Sequence, residues 1–270
     1  MNLNVTDVHV NGGPQRWKII GFPILAILFT LFGFFFLEGA TEALEPWQPS
    51  DCEGCSAETA VPDSYRWLAT SHGGLLAFLF GGSLIALLRR PFEKPMLLHF
   101  YAAGHLIFLA ALAATAPALA LEKAFIFVLF LLTLTILFAF YHNRSSAIRL
   151  DPPGKYSRPL LALTAIAAIF LLPVAINAGI QQWSETAGQF RWGEHTAMVL
   201  TLLYGGVLTA SRRAGSSALG LIVSLTYLYL GASALAVPEH PGSWGIAGGT
   251  ASLLYGAIFA AATIFGNRPR

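Results

Sequence analysis

Residues 66–90 read RWLATSHGGLLAFLFGGSLIALLRR, and residues 191–213 read RWGEHTAMVLTLLYGGVLTASRR. Each opens on Arg-Trp, sets a His close behind, carries Gly-Gly in its body and closes on Arg-Arg. Arg89 follows His72 by 17 residues, and Arg212 follows His195 by the same 17. Between its cationic ends each is apolar over the roughly 20 residues that carry a helix across ~30 Å of hydrocarbon.

Six further stretches have the same character. The expected spans are Trp17–Leu37, Trp67–Leu88, Met96–Ala116, Ala124–Tyr141, Leu160–Ile180, His195–Ala210, Ala218–Ala236 and Gly245–Phe265. Composition agrees: only 11% of the 270 residues are charged and 55% are hydrophobic, where a soluble domain carries about 25% charged residues. Too little charge remains to cover a water-facing surface. In lipid, a helix meets the need of its own backbone for hydrogen bonds. The first span ends on Glu38 and Glu42 with no small-residue cleavage site, so it reads as a true span and not a removed signal. The polar, Gly-rich residues before it read as a short tail.

The basic residues orient the bundle. With the N-terminus inside, all but Arg66, Lys123 and Arg191 of the 16 Lys and Arg fall on the cytoplasmic side, as the positive-inside rule describes. All but Asp7, Glu93 and Asp151 of the 14 acids fall outside. Every Trp except Trp17 clusters at the outer boundary, where its amphipathic ring suits the interface. The expected location is a cell membrane, most simply a bacterial inner membrane, with both termini cytoplasmic. No basic run is interleaved with aromatics, so nucleic-acid binding has no support.

The likeness of the second and sixth spans extends along the chain. Asn143-Arg144 matches Asn267-Arg268, and Pro117 matches Pro238, at offsets of 121 to 124. Four spans per unit leaves both halves in the same orientation, a parallel repeat whose natural site lies where the halves meet. The expected organisation is a tail over 1–15, a first four-helix repeat over 16–144 with an outer Cys-containing loop over 38–66, a cytoplasmic linker over 145–158 and a second repeat over 159–270. Gly73, Gly74, Gly81, Gly82, Gly205 and Gly206, with Ser252, Gly256 and Ala260 on the last span, form small-residue stripes that let helices approach closely in lipid. The fold class is therefore all-α, a polytopic bundle of eight helices.

Ionisable residues inside spans are functional candidates by default. His72 and His195 sit at matching places near the outer boundary, with Glu194 beside the latter and Glu38 closing the first span on the same side. Pro173 interrupts the fifth span, and Asn177 follows at its outer end. Glu38, His72, Asn177 and His195 make the best candidate site. Imidazole is a common metal ligand and a common axial ligand of haem, so His72 and His195 together are candidate ligands of a haem or metal ion. Glu38 or Glu194 would orient an imidazole. The plainer alternative makes each a near-interface His bonded to a carbonyl. His105, at mid-bilayer, needs a partner such as Thr133 or Thr135, or else serves a cofactor or a quinone pocket. His142 and His240 read as surface residues.

Cys52 and Cys55, in DCEGC of the first outer loop, face an oxidising compartment, where a disulfide staple is expected. Asp51 and Glu53 beside them disfavour an activated thiolate. Two thiols rule out a four-thiolate zinc site within one chain. No phosphate-binding loop, H-E-x-x-H or G-x-S-x-G occurs, and no Lys lies deep in a span. These absences argue against ATP-driven transport, intramembrane hydrolysis and a retinal Schiff base.

Eight spans in a four-plus-four plan, a Cys pair in the first outer loop and outer-side His on spans two and six resemble the haem A synthases in architecture. That family carries further His on spans four and eight, where this chain has none in the interior. The Glu expected four residues before the first His is also missing. The resemblance is one of plan and implies no activity by itself. The expected function is an integral membrane protein that binds haem or quinone in an outer-side His pocket, for electron transfer. The alternatives are a transporter or receptor for a small apolar or lipid-like molecule, and an accessory subunit packed against membrane partners.

Overall fold

The computed structural model describes residues 14–48, 62–142, 144–149 and 156–266. Cys52 and Cys55, the first 13 residues and residues 150–155 of the inner linker lie outside that set. The described residues are helical wherever the sequence is apolar, and no strand occurs among them.

In chain order, α1 (Pro14–Leu31) runs on into a π-helical stretch over Phe32–Phe36, and the short α2 (Gly39–Leu44) follows. A second long rod is made of α3 (Arg66–Gly73), a π-helical stretch over Gly74–Gly81 and α4 (Gly82–Leu88). Then come α5 (Pro95–Thr115), the short α6 (Pro117–Glu122), α7 (Ala124–Phe140) and the short α8 (Arg144–Ile148). The second half holds α9 (Arg158–Trp183), α10 (Arg191–Ala210), α11 (Ser216–Ala236) and α12 (Gly245–Gly266). Prolines in the first turn start α5, α6 and α9, where the N–H has no partner within the helix to lose. Pro173 sits inside α9 without ending it.

Six of these rods are long and apolar enough to cross a bilayer: those beginning at Trp17, Arg66, Pro95, Arg158, Ser216 and Gly245. That makes the chain a multi-pass helical membrane protein. α7 is apolar but only 17 residues long. α10 has 20 residues and carries Arg191 and Glu194 in its first turn.

The rods form two layers. The α3–α4 rod, α5, α10 and α11 are largely buried, whereas α1, α7, α9 and α12 turn most of their apolar side chains outward. Within the first half, α1 packs on α4 and α7, and α4 on α5. Within the second, α9 packs on α10 and α12, and α10 on α11. The halves meet where α10 lies on α5 and α3, and where α11 lies on the π-helical stretch over Gly74–Gly81. The small-residue stripe of α12 is used in packing: the Ser252 hydroxyl donates to the Tyr227 carbonyl at 2.7 Å, and a Cβ on Gly256 would stand 3.0 Å from the Ser224 carbonyl oxygen.

The chain doubles back after α1. Glu38 takes a left-handed backbone conformation, φ 61°, which a non-glycine residue adopts only at a cost. The turn lays α2 against α3 so closely that a Cβ on Gly73 would meet the Ala43 nitrogen at 2.3 Å. α2 thus sits as a plug at the end of the central helices that is expected to be the outer one.

Candidate functional site

This expected outer end holds two distinct groups of polar residues. The first is built around α2. Glu42 Oε2 accepts from His72 Nδ1 at 2.5 Å, and Glu42 Oε1 accepts from Arg191 Nη1 at 2.5 Å. Arg191 also lies 3.5 Å from Glu194 Oε2. Glu42 is 4% exposed. Burial pushes its carboxyl up, but His72 and Arg191 more than offset this and hold it below the ordinary carboxylate range. The His72 ring stacks on Phe108. The other Arg-Trp start is used in parallel: Arg66 donates to the carbonyls of Glu45 and Gln48 and pairs with the Glu45 carboxylate. The Tyr229 hydroxyl of α11 lies 3.0 Å from the carbonyls of Ala43 and Thr70. Residues of both halves therefore hold α2 in place.

The second group faces a cleft. Between α9 and α12, with α10 and α11 as its floor, lies a cavity of about 890 Å³. Its outer end carries Asn177, Trp192, His195, Ser243 and Trp244, and its deeper walls include Leu163, Phe170 and Ile258. The rim opens toward the surrounding apolar layer, since Phe170 is 71% and Leu254 62% exposed. His195 is 1% exposed, and neither of its ring nitrogens has a hydrogen-bond partner. The indole N–H of Trp244, and that of Trp67 behind it, are also buried without an acceptor. The three rings pack together, Trp67 lying 6.1 Å from His195 and 5.5 Å from Trp244 between centroids. Buried donors and acceptors are nearly always satisfied, so the unpartnered His195 and Trp244 at the end of the cleft, with Trp67 packed behind them, make it the candidate ligand site.

The expected constellation thus divides. His72 joins the α2 group, and His195 and Asn177 join the cleft. Glu38 acts electrostatically on Arg191, and its side chain caps nothing at the α2 terminus. Glu194 belongs with Arg191. His72 and His195 stand on packed helices, α3 and α10, in unlike surroundings. Among the described residues no group of three His, Cys, Asp or Glu side chains is placed to hold a metal ion.

His105 is buried and stacked on Phe80 at 3.9 Å. Its Nδ1 donates to the carbonyl of Tyr101, one turn back, at 2.7 Å. Thr133 and Thr135 donate to carbonyls of their own helix instead of meeting it. Since a carbonyl only accepts, Nδ1 carries the proton and Nε2 keeps a lone pair. A cavity of about 20 Å³ lies beside it, lined among others by Thr30, Tyr101 and Phe130. His99 is bonded on both sides, to the Ala147 carbonyl and the Tyr204 hydroxyl, and ties the inner ends of the halves together. His142 is exposed, and His240 is half-buried.

Glu42, Arg191, Trp67 and Trp244 did not stand out as site residues from sequence. A signal for the arginines was present: Arg66 and Arg191 are two of the three basic residues expected on the outer side, and both meet acids or carbonyls of the segment between α1 and α3. No protein family, curated protein or solved structure matches this chain.

Proposed function

We propose that this is an eight-span membrane protein of two parallel four-helix repeats that binds a membrane-borne cofactor, of the haem or quinone class, in the outer-side cleft at His195, for electron transfer. Both termini are then cytoplasmic, as the bias of Lys and Arg requires, and a bacterial inner membrane is the simplest setting. The repeat is supported by the packing, because the first and fourth rods of each half flank its second and third. It is also supported by the two cavities: His105, Phe130 and Thr133 line the first-half cavity, and Tyr227, Ser252 and Tyr255, each 122 residues later, line the cleft.

The observation that carries the reading is the His195 imidazole, buried at the end of a large cleft with both nitrogens unpartnered. An imidazole so placed costs free energy unless something in the cleft bonds to it. His72, with its Nδ1 fixed by Glu42, has the orienting partner that metal-bound imidazoles usually have, and a haem or metal reading that includes His72 draws on that contact. A receptor or carrier of a lipid-like molecule is the second reading, favoured by the exposed rim at Phe170 and Leu254. The accessory-subunit reading rests on small-residue faces, of which Gly231 and Gly249 pack against each other inside this chain.

The test is an absorption spectrum of the detergent-purified full chain, with metal analysis and mass spectrometry of an organic extract. A Soret band, or a co-purifying quinone, lost in His195→Leu supports the cofactor reading. A clean spectrum and an empty extract from wild type would remove it.

A further inference from the structure

We propose that the cleft between α9 and α12 takes a neutral lipid with one flat polar ring and one long tail, a polyprenyl-type quinone or its quinol, and takes neither haem nor a phospholipid. The inference rests on the cleft being a ligand site and narrows what fills it.

Charge decides first. Among the described residues no Lys, Arg, Asp or Glu lines the cleft. Haem brings two propionates and a phospholipid brings a phosphate, and an anion in a low-dielectric site needs a cation beside it. The arginines of the outer end are committed, Arg191 to Glu42 and Glu194, Arg66 to Glu45 and its neighbours. A neutral head meets no such penalty.

Hydrogen bonding decides next. A neutral His195 offers one N–H and one lone pair, and Trp244 offers one N–H. Two donors and one acceptor suit a ring bearing carbonyl oxygens. They also suit the reduced ring, whose O–H donates to the imidazole lone pair, so both forms bind. An imidazole built to hold iron has its other nitrogen fixed by a carboxylate or carbonyl, and neither nitrogen of His195 is fixed.

Shape decides the tail. The lining of α9 extends from Asn177 at the outer end down to Leu163, fourteen residues or about 21 Å of helix. Below the outer end the wall is apolar but for Tyr227, Ser252 and Tyr255, and the side of the cleft is open. The topologically equivalent space in the first half is only about 20 Å³, with Phe80 stacked on His105, so each chain takes one molecule.

The experiment titrates the full-length protein in detergent with decyl-benzoquinone and reads the quenching of tryptophan fluorescence, since Trp192 and Trp244 line the outer end and Trp67 packs on Trp244. Saturable quenching is expected at one molecule per chain. It should weaken roughly tenfold in His195→Leu, the loss of one hydrogen bond to a buried group, and return in His195→Asn, whose amide restores a donor and an acceptor. Ala251→Trp, at an exposed lining position, should block binding without touching the polar end, and it carries the test if His195→Leu does not fold. Haemin and a nitroxide-labelled phosphatidylglycerol are titrated alongside. If either binds saturably and is blocked by Ala251→Trp while the quinone is not bound, the cleft stands as a site and the neutral-ring assignment falls. If Ala251→Trp changes the binding of no probe, the cleft reading itself falls.

Discussion

Glu42 and Arg191, 149 residues apart, meet at 2.5 Å through Oε1 and Nη1, so a buried ion pair joins the short plug helix of the first half to the first turn of α10. The same carboxylate holds His72. Glu42 is thereby the acceptor on which two cationic or donor groups from different halves depend.

Removing Glu42 leaves Arg191 and His72 to find new partners in a largely dry place. Loss of one member of a buried pair costs about 3 kcal/mol or more, whereas replacing both by apolar groups often costs far less. Glu42→Leu is therefore expected to lower thermal stability in detergent clearly, and Glu42→Leu/Arg191→Met to recover much of that loss. Thermal unfolding of both variants and of Arg191→Met closes the cycle. A double variant as unstable as the sum of the singles would show that the pair is not coupled.

The same carboxyl sets a pH dependence. Its folded pKa lies below the ordinary value of 4.5. A group with a depressed folded pKa contributes stability that is fully present above the ordinary value and is lost as pH falls through the folded one. Wild type should thus lose more thermal stability than Glu42→Gln between neutral pH and pH values below the ordinary carboxylate range. Equal losses in the two proteins would place the acid sensitivity elsewhere.

The long helices were legible because lipid forces them: each apolar run becomes a rod, as when Met96–Ala116 was expected and Pro95–Thr115 is found. The distinction between His72 and His195 was not legible, although their local sequences match. The reason lies in the loops. The chain from α1 to α3 is long enough to fold back as α2 and deliver Glu42 to His72. The chain from α9 to α10 has only residues 184–190, too few to deliver a partner, so His195 is left facing a cleft. The likeness of the two stretches says nothing about what the unequal loops bring to each His.

The closeness of α2 to α3 gives a sharp contrast between two glycines. A methyl on Gly73 would fall 2.3 Å from the Ala43 nitrogen, a backbone atom that can move only with the whole of α2. Gly33 has nothing within 4 Å of its added Cβ. Gly73→Ala should displace α2, lower thermal stability by about 1–3 kcal/mol as overpacking does, and loosen the contacts that Glu42 makes. Gly33→Ala should be neutral or mildly stabilising, because alanine favours the helix over glycine by up to ~1 kcal/mol. Equal behaviour of the two variants in thermal unfolding would mean that α2 does not rest on α3.

The two cavities give the last expectation. In the first half the Phe80 ring lies against His105 at 3.9 Å and lines a space of only about 20 Å³, where the second half has a cleft of about 890 Å³. Cutting Phe80 back to alanine removes that ring, at a cost of about 3–5 kcal/mol for the cavity. What opens is a second apolar space ending on an imidazole whose proton is held at Nδ1 by the Tyr101 carbonyl, leaving the lone pair at Nε2. A lone pair asks for a donor, so the enlarged space should accept a quinol or a phenol more readily than a quinone, the reverse of indifference at His195. Phe80→Ala is thus expected to bind a second molecule of a short-chain quinol per chain, measured by equilibrium dialysis, and Phe80→Ala/His105→Leu to return to one. A stoichiometry that stays at one in Phe80→Ala would mean that the first half has no latent cleft.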